Sequence, residues 1–138
     1  MKIGITGTRE GANDTQLKAI LEYLQQFPAG TEFHHGDCVG VDVEIAIMAN
    51  ELGFKTIAHP GPDCELRAHH ESHEIRGGLT HFKRNRNIVD ETDTLIVVPL
   101  QNEWQSKGGT WYTASYAKKK NLPHVIFYPN GTTEKGVE

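Results

Sequence analysis

The chain has 138 residues, with 14 Lys and Arg against 18 Asp and Glu and a formal net charge of -4 with His neutral. That length supports one domain closing its own core without metal or disulfide staples. The charge excludes a protein that coats nucleic-acid phosphate, and no run approaches the roughly 18 apolar residues that cross a bilayer. Residues 1–7 carry one Lys and no long apolar stretch, so no secretory signal and a cytoplasmic location are expected, with Cys38 and Cys64 as free thiols.

Residues 2–6 read as a buried strand that runs into a polar loop, Gly7-Thr8-Arg9-Glu10-Gly11. Asn13 or Asp14 caps a helix over 15–26, where Leu17, Ile20, Leu21 and Leu24 share one face. Pro28-Ala29-Gly30 ends it. A second strand over 31–35 breaks at Gly36-Asp37, and a second helix over 41–52 stops at Gly53. Residues 55–59 form a third strand. Residues 60–80 have no sustained period and read as a long excursion or lid, with one helical turn around 65–74. A short helix over 83–90 leads to the clearest buried strand, 94–99. Gly108-Gly109-Thr110 opens a helix to about 120, which Asn121-Leu122-Pro123 terminates, and the last strand is 124–128. The alternation predicts one α/β domain over 1–131, a three-layer sandwich with a mainly parallel sheet of about five strands, followed by a polar tail at 132–138.

In such a sheet, ligands sit beyond the carboxyl ends of the strands, where loops enter helix N-termini. Three loops qualify: Gly7-Thr8-Arg9, Gly36-Asp37-Cys38-Val39-Gly40-Val41-Asp42, and Gly108-Gly109-Thr110. Glycine lets backbone N–H groups approach an anion, and the hydroxyls of Thr8, Thr110 and Thr113 add donors. Neither the dinucleotide fingerprint G-x-G-x-x-G nor the P-loop pattern occurs, so a phosphate- or ribose-bearing ligand must be held another way. Arg84-Asn85-Arg86-Asn87 supplies guanidinium for phosphate and amides for a ribose or base edge; read blandly, it is a solvated basic face.

These pieces, in this order, resemble the SLOG superfamily, the Rossmann-like group that includes DprA/Smf DNA-processing proteins, YspA-type proteins and the Lonely Guy phosphoribohydrolases. The resemblance runs from Lys2 to about Gly131 and rests on Gly7-Thr8-Arg9, His35 to Asp42, Arg84-Asn85-Arg86 and Lys107 to Thr113. It implies a pocket for a nucleotide-derived small molecule at the carboxyl edge of the sheet, no resident cofactor, and a homodimer or higher homo-oligomer. Lonely Guy enzymes cleave the N-glycosidic bond of a nucleoside monophosphate with a loop P-G-G-x-G-T-x-x-E. Here Lys107 stands where the proline would be, and residues 113–116 offer no carboxylate. Asp37 and Asp42 are the candidate catalytic carboxylates, with Glu10 behind them, because an oxocarbenium-like centre needs a nearby carboxylate; their competing roles are a loop hydrogen bond and a helix cap.

His69 and His73, one helical turn apart, are candidates for a shared metal if residues 65–74 are helical; otherwise they belong to a polar loop. His34 and His35 face opposite sides of the sheet, His35 toward the ligand and His34 toward packing. Trp111 and Tyr112 stand at the pocket mouth to stack on a base, or pack in the core. Two function classes follow: binding of a nucleotide-derived molecule, with N-glycosidic hydrolysis or as a sensor, and DprA-like binding of single-stranded nucleic acid. The acidic charge weighs against the second.

Overall fold

The sheet grows in both directions from its first strand. The computed structural model describes residues 1–62 and 67–136. Strand β1 (Lys2–Gly7) pairs in parallel with β2 (Glu32–His35) on one side and with β5 (Thr94–Val98) on the other. One wing continues through β3 (Lys55–Ala58) to β4 (Glu74–Ile75), the other through β6 (His124–Phe127) to β7 (Thr133–Gly136). The order is β4-β3-β2-β1-β5-β6-β7, with β6 and β7 antiparallel and all other pairs parallel. The direction in which successive strands are added therefore reverses between β1 and β5, and that switch point is where an α/β sheet opens a crevice.

Helices α1 (Asp14–Leu24) and α2 (Val41–Glu51) cover one face; α3 (His81–Asp90) and α4 (Gly109–Lys119) cover the other. Strand β5 shows why its sequence is apolar throughout. Ile96 and Val98 pack with Ile20, Leu24 and Ile45 on the first face, while Leu95 and Val97 pack with Ile88, Trp111 and Ala114 on the second. Asn13 closes a capping box with Gln16, and the buried Gln16 amide donates to the carbonyls of Pro99 and Phe127, fixing α1 across the ends of β5 and β6. No helix among the described residues is long and apolar enough to cross a membrane.

The α/β class, the parallel core and the four helices match the sequence reading, but the sheet has seven strands rather than about five. Both additions lie at the edges. Strand β4 is two exposed residues inside the 60–80 excursion, with no periodic signal of its own, and exists through pairing with β3. Strand β7 lies in what reads as a polar tail, because Thr133, Glu134 and Lys135 are all exposed. The helical turn expected around 65–74 is absent over 67–74, where the chain runs as loop into β4; its first residues and Cys64 lie outside the described residues.

Gly40 precedes α2 at φ +90°, and a Cβ there would drive into the Arg9 backbone. Gly30 has nearly the same φ, +89°, with nothing within 4 Å. Gly40→Ala is thus expected to cost about 2–3 kcal/mol and Gly30→Ala about 1, the difference being the clash. Urea unfolding of both variants checks this.

Candidate functional site

The carboxyl ends of β1 and β5 and the first turns of α3 and α4 enclose a cavity of about 800 Å³. Its floor comes from β1, where Ile5, Thr6 and Gly7 lead into Thr8 and Arg9. Gly7 is required here because a Cβ would overlap the Val41 side chain of α2. The Thr8 amide donates to the Val98 carbonyl at 3.0 Å, and the Thr8 carbonyl accepts from Val41 at 3.1 Å, so the loop after β1 is clamped between β5 and α2.

One wall is the N-terminus of α4. Gly108 at φ +107° is its N-cap and offers no side-chain cap, and Gly109, Thr110 and Trp111, which carry the first-turn N–H groups, all line the cavity. The opposite wall is α3. Phe82 reaches across the mouth to Tyr112, ring centroids 4.5 Å apart, and Asn85 and Ile88 lie deeper.

At the back sit Asp42 and Arg84, both nearly fully buried. The Asp42 carboxylate accepts from the Gly36 amide at 2.8 Å. Burial pushes its pKa up to about 6, against the lowering effect of the Arg84 charge and the backbone donors. Arg84 donates through Nη1 to the carbonyls of Gly36 (2.6 Å) and His59 (3.2 Å) and through Nε to Asn85 Oδ1 (2.6 Å). Both groups crowd Gly36: a Cβ there would stand 2.5 Å from Arg84 Nη1 and 2.7 Å from Asp42 Oδ2. Cys38 also lines the cavity, its thiol pKa raised by burial and by Asp42.

The structure thus gathers Gly7, Thr8, Arg9, Asp42, Arg84, Asn85, Gly108, Gly109 and Thr110 around one space. Five other candidates stand elsewhere. The Asp37 carboxylate is taken by Arg67 (3.0 Å) and the His70 amide (2.8 Å), which dock the 67–72 segment. His35 is fully buried between the Asp37 amide and Ser72 Oγ, and burial drives its pKa down to about 3. Gly36 lies behind Arg84 without lining the space. Thr113 is buried and donates to the Gly109 carbonyl one turn back. Arg86, two residues past Arg84 on α3, is turned to the outer side, over a separate depression beside Tyr116 and Lys119.

Trp111 is core as well as wall, its indole N–H held by Gln101 at 3.0 Å. His69, at φ +54°, and His73, whose Nδ1 accepts from the Thr56 amide, share no helix. Residues not singled out in the sequence include His81, Phe82, Leu100 and Gln101. The first two fall in the turn by which α3 starts earlier than its apolar pattern shows.

Charge is uneven around the cavity. Arg9, Arg84 and Lys107 line it against a single carboxyl, Asp42. An acidic chain has concentrated cations at one crevice.

This architecture is a Rossmann-like α/β fold with a mostly parallel sheet. No family model and no curated protein sequence matches the chain. Among solved structures it is similar to a molybdenum cofactor binding protein from the phototrophic bacterium Rippkaea orientalis, with TM-score 0.69 and 24% identity over 92% of this chain and 76% of that one. It is similar to DNA processing protein A from Streptococcus pneumoniae, with TM-score 0.67 and 17% identity over 92% of this chain. The chain spans about half of that protein, 49%. The structural-genomics target TM1055 matches with TM-score 0.63 and 20% identity, over 89% of this chain and 71% of the other.

Proposed function

We propose that the crevice between β1 and β5 binds a nucleotide-derived small molecule, its phosphate at the α4 N-terminus and its base stacked against the Phe82–Tyr112 pair. The observation that carries this reading is the three-to-one excess of cations over carboxyls around a switch-point cavity that also holds an uncapped helix N-terminus. The similarity to a cofactor-binding protein of the same fold supports a small-molecule role. Asp42 favours a second step, N-glycosidic hydrolysis. A carboxyl held at about 6 is poised near neutral pH for general acid–base work, and it lies in the cavity wall.

Incubating the protein with nucleoside monophosphates, ADP-ribose and cyclic nucleotides, followed by calorimetry and chromatography, tests both steps. A heat of binding with unchanged ligand supports binding alone; free base that disappears in Asp42→Asn supports hydrolysis. Binding of none of them, with salt-sensitive affinity for a single-stranded oligonucleotide, overturns the proposal in favour of a DNA processing protein A-like role. Tyr112→Ala is expected to weaken nucleotide binding about ten-fold through loss of stacking worth roughly 1–3 kcal/mol, whereas Arg86→Ala leaves it unchanged.

A further inference from the structure

On the α3 face of the sheet, away from the cavity, three side chains from three elements converge. His34 of β2 and His59, just past β3, are almost wholly buried, and Nδ1 of the first lies 2.8 Å from Nε2 of the second. Glu91, the C-cap of α3, brings Oε2 to 3.9 Å from His59 Nδ1. One ligand atom from each of the three falls within 4.8 Å of the others, and no other such group occurs among the described residues.

The geometry points to a binding site for a divalent transition metal of the zinc class, held by His34, His59 and Glu91 with the remaining position open to water. The surroundings are organised as a metal site requires. Glu32 Oε1, two residues back on the same face of β2, is 3.0 Å from His34 Nε2. It accepts a hydrogen bond from the N–H at that position and leaves the Nδ1 lone pair directed at His59, whose Nε2–H donates to it until a metal displaces that hydrogen bond; this is the carboxylate–histidine arrangement that orients ligands in metal centres. Arg76 Nη2 holds Glu91 Oε1 at 2.9 Å, leaving Oε2 on the histidine side as a monodentate ligand. Both imidazoles are almost wholly buried, surroundings that favour the neutral form that ligates.

Two nitrogens and one carboxylate oxygen with an open fourth position suit Zn²⁺, Co²⁺ or Ni²⁺ rather than Mg²⁺ or Ca²⁺, which take oxygen ligands. Glu91 and Glu32 are each about one-third exposed, so an ion enters from the carboxylate side without opening the core. The site also touches the cavity through the backbone, because Arg84 of the cavity wall donates to the His59 carbonyl.

The test is titration of the chelator-treated full chain with ZnCl2 and CoCl2, followed by calorimetry, thermal unfolding and visible absorption. Expected are one Zn²⁺ per chain, a raised unfolding temperature and the visible bands of low-symmetry Co²⁺. Glu91→Gln, partly exposed and tolerable to the fold, should weaken Zn²⁺ affinity at least 100-fold, and Glu32→Gln by about 10–100-fold through loss of the orienting carboxylate. A His69→Ala/His73→Ala double variant should bind as the parent does. The proposal is overturned by absence of Co²⁺ bands and of any thermal shift, by unchanged affinity in Glu91→Gln, or by affinity that vanishes with His69 and His73 instead.

Discussion

Replacing Arg84 by alanine should cost about 3–5 kcal/mol of unfolding free energy, a loss in the range of breaking a buried ion pair. Arg84 is 3% exposed, and its guanidinium ties together several elements. Nη1 joins the carbonyl ends of β2 and β3 at Gly36 and His59, and Nε and Nη2 reach Asn85 and His81 within α3. Truncation leaves two buried carbonyls without this donor and leaves Asp42 without its neighbouring cation. Arg84→Lys should rescue little, because one ammonium cannot span the fork of contacts. The Asp42 pKa should rise further above about 6 in the alanine variant, since the Arg84 charge is what lowers it most. Urea unfolding measures the first effect and NMR titration of the Asp42 carboxyl the second; a loss under about 1 kcal/mol would show that the back of the cavity is held by other contacts.

Acid should unfold the metal-free protein steeply. His35 and His59 are held at about 3 in the native fold, burial being the main cause, against an ordinary value of 6.5. Around His35 stand His34, His70 and Arg84; around His59 stand His34, Arg76, His35, Arg84 and Glu91. Between pH 6.5 and 3 the unfolded chain therefore binds two protons that the native fold refuses, and stability falls as pH falls. Asp42 acts in the opposite sense: its native value near 6 lies above 3.8, so between those values the folded state holds one extra proton and gains as pH falls. Two protons against one leave a net loss of about 1.4 kcal/mol per pH unit near pH 5. The lowered pKa of His34 adds to it. His35→Gln should flatten the slope and Asp42→Asn steepen it, both read from urea midpoints taken in chelator across roughly pH 4–7.

The parts legible from residues alone were those with local chemistry. The loops after β1 and before α4 declare themselves because glycine is needed where backbone approaches Val41 or turns to φ +107°. Continuous apolar strands such as Thr94–Val98 declare that both faces are covered. Arg84-Asn85-Arg86 reads as one unit in sequence, but a helix turns each successive residue by about 100°, so Arg84 faces the sheet and Arg86 the solvent. Asp37 and His35 are adjacent to a ligand-facing loop, yet their polar atoms are consumed in docking residues 67–72, a segment without periodicity from which no partner can be read. The same reason hid the His34, His59 and Glu91 cluster: its members are far apart in sequence, and register between β2 and β3 alone brings the imidazoles together.

The two outer strands decide how this sheet ends. At one side β4 offers two residues, too short a row of backbone groups to template another strand, and its neighbour Arg76 is engaged with Glu74 and Glu91. At the other, β7 turns back antiparallel with Glu134 and Lys135 on its exposed surface, and Glu134 is tied down by Trp104 and Tyr128. Such charged, abbreviated margins resist edge-to-edge accretion. For copies of this chain that associate, such margins favour meeting through helical faces or loops over a shared sheet running from one copy into the next.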